Sequence, residues 1–180
     1  FGKYPNKEVK VTDIPAVILQ YFHVNIDKYY FENRNIDIKH PIMVHQWNEY
    51  FKPKDVLDLG CGRGPYLYFW QWFCPASGLE LSKWAVDHAF CTHIGQGDIT
   101  DMETSGHDLV TAIDVLEHLD DEQLDRALKN ISKSGNKFLF SIPFVGNPDL
   151  LNDSTHKQFH TKDWWIYTIK QYGIEVEEAP

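Results

Sequence analysis

Cysteine is scarce in this sequence and does not pair. Cys61, Cys74 and Cys91 are odd in number and form no CxxC. That argues against a disulfide framework or a zinc knuckle and predicts a reducing, cytoplasmic setting. Basic charge is short as well: 17 Lys and Arg stand against 26 Asp and Glu, a net charge of −9. This disfavours a broad phosphate-binding face, and with it nucleic acid as a partner. Long apolar runs are missing. Uncharged apolar stretches, such as that around residues 138–145, fall far below the roughly 20 residues a bilayer-spanning helix needs, so no membrane is expected. Internal repeats and low-complexity tracts are absent too. What is present is ordinary globular usage: 180 residues, 43% hydrophobic and 24% charged, sized for one domain with its own core. Aromatic residues reach 14%, enough to wall a ligand as well as to pack an interior.

Residues 1–50 differ in texture from the rest and are expected to form an N-terminal lid or cap segment, with the main domain over residues 51–180. Residues 20–34 mix aromatic and polar side chains without a clean period. Pro41 then opens a helix in which Val44, Trp47 and Tyr50 or Phe51 recur at helical spacing. From Asp55 strands and helices alternate. Strands are predicted near residues 55, 77, 91, 107, 137 and 174, with His107–Ile113 apolar throughout as a doubly covered parallel strand should be. Helices are predicted over 65–73, over 82–90 behind Ser82, over 120–135 with Gly135 as its stop, and over 161–173 between Thr161 and Gly173. Such alternation predicts an α/β fold, a doubly wound Rossmann-like and mostly parallel sheet with helices on both faces.

The most informative segment is Val56-Leu57-Asp58-Leu59-Gly60-Cys61-Gly62-Arg63-Gly64-Pro65. A strand runs into G-x-G-x-G and then into a helix. Glycine belongs there because the turn needs backbone angles other residues disfavour, and because a ligand must reach the backbone without Cβ atoms in its way. Glu80 stands at the end of the second strand, where a carboxylate can accept both hydrogen bonds of a ribose diol.

These segments resemble the class I S-adenosylmethionine-dependent methyltransferases, small-molecule branch, over about Asp55 to Val176. VLDLGCGRG matches the family's first motif, GLELS its second, GQGDIT its adenine-contacting turn, and DLVTAIDVLEHL its fourth-strand segment. The resemblance implies transfer of a methyl group from S-adenosyl-L-methionine, leaving S-adenosyl-L-homocysteine, to an O or N atom of a small-molecule acceptor. It implies cofactor binding by Asp58 (toward the methionine amino group), Gly60, Gly62, Glu80 (toward the ribose), Leu81, Asp98, Ile99 and Asp114. Asp153-Ser154-Thr155-His156 resembles an acid-x-Thr-His signature of related enzymes. It makes His156, with His118, the expected catalytic pair, and Tyr30, Glu117 and His156 the expected acceptor contacts. Tyr29, Tyr30 and Phe31 are expected to fold over the cofactor as a lid. Some related O-methyltransferases hold a divalent metal with a pair such as Glu117-His118, and a site of His118, His156 and a carboxylate stays open on that resemblance. Spacing alone does not support zinc, a structural histidine is the commoner outcome, and no metal is assigned. A small-molecule acceptor and a second copy of the chain, as a homodimer, are the expected partners.

Three other readings compete. A nicotinamide-binding domain would show G-x-G-x-x-G, but Pro65 stands in the third glycine's place, and Asp98 and Glu117-His118 would go unexplained. A nucleic-acid or other macromolecule methyltransferase conflicts with the charge balance. A non-catalytic, methyltransferase-like binding module would keep the cofactor motifs and show no turnover. The resembled family's sheet has seven strands, whereas six are counted here. Either the seventh strand lies outside this sequence, or a gap is expected beside the fifth strand, to be filled by another chain or by the N-terminal segment 1–20. There residues 11–22 have the apolar content, and Pro15 confines them to an edge.

Overall fold

Strands alternate with helices from Val56 onward in the computed structural model, which describes residues 30–32, 34–151 and 153–177. Five strands form one sheet: β1 (Val56–Leu59), β2 (Ala76–Glu80), β3 (Ile94–Gln96), β4 (His107–Ile113) and β5 (Gly135–Ser141). Their order is β3-β2-β1-β4-β5 and every pairing is parallel. Chain direction reverses its progress across the sheet between β1 and β4. In open α/β sheets the ligand crevice lies there, outside the carboxyl ends of the strands.

Strand residues alternate between two cores. Leu57, Leu59, Val110 and Ala112 face one side, against Leu124, Leu128 and Ile131 of helix α4 (Asp121–Ser134) and Trp165 and Ile169 of α5 (Lys162–Lys170). Val56, Leu109 and Leu139 face the other, against Val44 and Trp47 of α1 (Lys39–Phe51) and Phe69 and Trp70 of α2 (Pro65–Trp70). The doubly wound arrangement follows from this two-sided apolar pattern. The short α3 (Lys83–Asp87) begins where Ser82 Oγ accepts the Ala85 N–H. A capping box of Asp120 and Gln123 opens α4, and Thr161 caps α5.

Some expectations need correction. The sheet has five strands among the described residues, not six: Ile174 to Glu177 run without strand pairing. Alternating apolar residues there dock sideways, with Ile174 and Val176 joining the α4–α5 core. Gly135 is not a left-handed helix stop. It is extended at φ −160° and starts β5 directly after α4, because a Cβ there would lie 2.6 Å from Val110. α1 starts at Lys39, two residues before Pro41, which still sits in the first turn where its missing N–H costs nothing. The proposed gap-filling segment 11–22, and Tyr29 of the lid, lie outside the described residues. Among the described residues, no helix is long and apolar enough to cross a membrane.

Candidate functional site

The β1–α2 loop holds three glycines in the left-handed region: Gly60 at φ 64°, Gly62 at φ 58° and Gly64 at φ 80°. Space is restricted at the same positions. A Cβ on Gly60 would come within 2.6 Å of Val115, and one on Gly62 within 3.2 Å of the Phe31 ring. The aromatic segment before α1 therefore does lie over the glycine loop at Phe31.

Glu80, at the end of β2, is 6% exposed. Its Oε2 accepts the Gly62 N–H and its Oε1 the Ser82 N–H, both at 2.8 Å. One carboxylate thus ties the glycine loop to the start of α3. The bond to the loop is a job that spacing did not reveal. Asp58 is 2% exposed in β1 and accepts the Thr111 hydroxyl at 2.6 Å. Burial pushes its carboxyl up to about 7, the nearby Glu80 charge pushes the same way, and the Thr111 bond opposes them. A buried carboxylate in that state favours a cationic partner such as an ammonium group. With the glycine loop and Glu80, it fits the amino-acid and ribose ends of S-adenosylmethionine.

Around the rim the expected residues divide. Leu81 follows Glu80 and is 65% exposed. Asp98 uses Oδ1 to accept the Thr100 N–H at 2.8 Å, closing a local turn. Ile99 is buried in the core, and its carbonyl accepts Asn130 Nδ2–H. Asp114 stands at the end of β4 at φ 54°, a conformation costly for a side-chain-bearing residue, with Oδ1 accepting the Ser141 hydroxyl at 2.8 Å. That turn sends the chain into a single 3₁₀ turn, Leu116–His118, and Val115, which caps its start, is the residue packed on Gly60.

A second constellation gathers here from distant parts of the chain. The Glu117 carbonyl accepts the N–H groups of Lys157 and Gln158, which draws the loop after β5 onto the 3₁₀ turn. His118 and His156 come to 4.8 Å between ring centroids, and His156 Nε2 lies 3.8 Å from Glu117 Oε1. Thr155 Oγ1 lies 2.9 Å from His118 Nδ1 and 2.6 Å from Asp153 Oδ1, while Arg34 pairs with Asp153 Oδ2 at 2.9 Å. Tyr30 meets His118 edge-on at 6.3 Å and lies beneath the Arg34 guanidinium. Burial pushes the Tyr30 hydroxyl up to about 12 and the Glu117 carboxyl up to about 8. Burial, with His156 close by, lowers His118. A neutral imidazole here can accept a proton or donate a lone pair. His160, further along the same loop, stacks its ring on Trp164 at 3.5 Å. Arg34 and the positioning role of Thr155 were missed. Arg34 sits in a stretch with no period, and the acid-x-Thr-His signature pointed only at its histidine.

A profile of the methyltransferase domain family matches residues 31–178. No curated protein matches the chain. Among solved structures it is similar to a SAM-dependent methyltransferase from Archaeoglobus fulgidus, at 20% identity and a TM-score of 0.65, covering 84% of this chain and 74% of that one. It is similar to the mitomycin 7-O-methyltransferase MmcR at 16% identity and a TM-score of 0.67, covering 88% of this chain and 55% of that one. It is also similar to the methyltransferase domain of bacterial CtHen1, at 21% identity and a TM-score of 0.61, covering 77% and 87%.

Proposed function

The chain belongs to the class I S-adenosylmethionine-dependent methyltransferase family, and on that premise we propose that it methylates an O or N atom of a small-molecule acceptor. The observation that carries the reading is the contact of Val115 with Gly60. It sets the turn bearing Glu117 and His118 directly against the cofactor loop, so a methyl donor in the loop and an acceptor at the histidines would be neighbours. S-adenosylmethionine, when bound, supplies an electrophilic methyl group on a sulfonium.

The chain's own residues divide the remaining work. Asp58 takes the amino group of the methionine portion, and Gly60 and Gly62 leave the backbone open to it. Glu80, whose carboxylate also accepts the Gly62 and Ser82 N–H groups, takes the ribose hydroxyls. Leu81, Asp98 and Ile99 border the adenine, and Asp114 lines the crevice between the two halves. Tyr30, Glu117 and His156 meet the acceptor, and His118 and His156 act on its O–H or N–H. Alignment of acceptor, methyl carbon and sulfur is the main catalytic effect, a matter of proximity and orientation. The three free cysteines fit a reducing, cytoplasmic setting. The mitomycin enzyme, an O-methyltransferase of a small molecule, supports the acceptor class by analogy of fold.

The test is transfer of labelled methyl from S-adenosylmethionine to a panel of small hydroxyl and amine compounds. Against an accepted compound, His156→Ala should lower turnover by about 10²- to 10⁴-fold, the usual contribution of a group that handles a proton. Affinity for S-adenosylhomocysteine should hardly change. Equal losses in affinity and rate would reduce His156 to a structural residue.

A further inference from the structure

We propose that Glu117, His118 and His156 bind one divalent transition-metal cation. This deepens the reading of that end of the crevice as the acceptor site and rests on it. Sequence spacing alone left this set of ligands unsupported, and the fold brings them together. Glu117 is 0% exposed, and neither of its carboxylate oxygens has a hydrogen-bond partner. The only other buried side-chain atoms so placed among the described residues are two indole nitrogens, of Trp70 and Trp165. A carboxylate with both oxygens unmatched in the interior is costly, and an ion is one of the few partners that satisfies it.

The partners for such an ion are in place. One donor atom each from Glu117, His118 and His156 lies within 4.8 Å of the others. Ligands at about 2.0–2.2 Å from a shared ion stand about 3–3.5 Å apart, so closing the set needs only side-chain adjustment. The outer bonds fix which nitrogen is free. Leu150 O can only accept, so His156 Nδ1, 2.8 Å away, carries the proton and leaves the lone pair on Nε2, the nitrogen facing Glu117. An ionised Asp153 can only accept, so Thr155 gives it its single hydroxyl proton at 2.6 Å. Thr155 Oγ1 must then accept from His118 Nδ1–H at 2.9 Å, which leaves the His118 lone pair on Nε2 as well. Arg34, paired with Asp153 at 2.9 Å, holds that carboxylate in its acceptor state. Both imidazoles are thus held in the form that ligates, by the carboxylate, hydroxyl and carbonyl partners that metal-bound histidines use.

Two imidazoles and one carboxylate suit manganese, iron, cobalt, nickel or zinc better than magnesium or calcium. Three protein ligands leave positions for an acceptor oxygen. The histidines then act on the acceptor through the ion, which would hold that oxygen and ease loss of its proton.

The test titrates the chelator-treated full chain with Co²⁺, following heat and the visible absorption of the ion, with S-adenosylhomocysteine titrated in parallel. One saturable equivalent is expected, with Mg²⁺ binding far more weakly. His156→Ala and His118→Ala should each weaken Co²⁺ at least tenfold, and Thr155→Val about 10- to 100-fold through lost orientation of His118. Affinity for S-adenosylhomocysteine should stay unchanged in all three. Glu117→Gln should act likewise, and the histidine variants carry the test if that buried substitution prevents folding. Absence of saturable Co²⁺ binding, or binding indifferent to both histidine variants, overturns the proposal while intact S-adenosylhomocysteine binding leaves the methyltransferase reading standing. Loss of S-adenosylhomocysteine binding in the wild type would instead strike at that reading.

Discussion

Removing the Glu80 carboxylate separates two jobs that one side chain does. In the protein without cofactor it accepts the Gly62 and Ser82 N–H groups at 2.8 Å each. Hydrogen bonds to a charged group contribute about 1.5–3 kcal/mol apiece, so Glu80→Ala could cost twice that. Water entering the crevice will satisfy part of the loss, so a fall of about 1.5–3 kcal/mol in unfolding free energy is expected. If Glu80 also takes the ribose hydroxyls, cofactor affinity falls by a further 1.5–3 kcal/mol, roughly 10- to 150-fold in Kd. A lower affinity alone would not show ribose contact, since a loosened loop would also weaken binding. The decisive assay is a calorimetric cycle: wild type and Glu80→Ala, each with S-adenosylhomocysteine and with an analogue lacking both ribose hydroxyls. In the wild type the missing hydroxyls should cost most of that factor, and in the variant little. Equal costs in both proteins would refute ribose contact and leave Glu80 as a brace between loop and helix.

Three further outcomes concern the same crevice. Because burial lifts the Asp58 carboxyl to about 7, pairing with an ammonium group must first expel its proton at lower pH. S-adenosylhomocysteine should therefore bind about tenfold more weakly at pH 6 than at pH 8, and Asp58→Asn should flatten that dependence. The same shift makes the cofactor-free protein lose stability as pH climbs from about 4 to about 7, because the folded form retains a proton the unfolded chain has released. An Asp58→Asn melting series that falls less steeply than the wild type's over that range, with the raised Glu117 carboxyl accounting for the remaining fall, would check the sign. Gly60→Ala must hold φ 64° and force aside Val115, 2.6 Å from the new Cβ. The backbone alone costs about 1–2 kcal/mol, so an unchanged melting temperature would contradict the packing described.

The cofactor half of the site was legible because it is local. Strand, glycine loop, helix and following strand occupy consecutive residues from Val56 to Glu80, and the chemistry needing glycine at a left-handed turn is written in the residue type. β4 was legible for a related reason: a strand covered on both faces must be largely apolar on both, and Leu109, Val110, Ala112 and Ile113 read so around the single Thr111. The sixth strand misled because alternation records which side of a segment is buried, not whether a hydrogen-bonding neighbour exists. Ile174 and Val176 bury their side chains in the α4–α5 core with no ladder at all.

The acceptor half depends on contacts no periodicity encodes, and its construction explains why. Glu117 offers its backbone carbonyl to the Lys157 and Gln158 N–H groups, so a residue singled out for its side chain positions the loop through its main chain. That contact brings Thr155 to His118 and His156 to Glu117, and Asp153 returns the chain's far end to Arg34, ahead of α1. The two halves then meet at only a few places: Val115 on Gly60, and the 30–31 segment, whose Phe31 covers Gly62 while Tyr30 faces His118. A shift of that segment would move the cover of the cofactor loop and the wall of the histidine cluster together. Arg34, stacked on Tyr30 and paired with Asp153, ties that same segment to the loop after β5, so the contact between the two halves is itself anchored from the acceptor side.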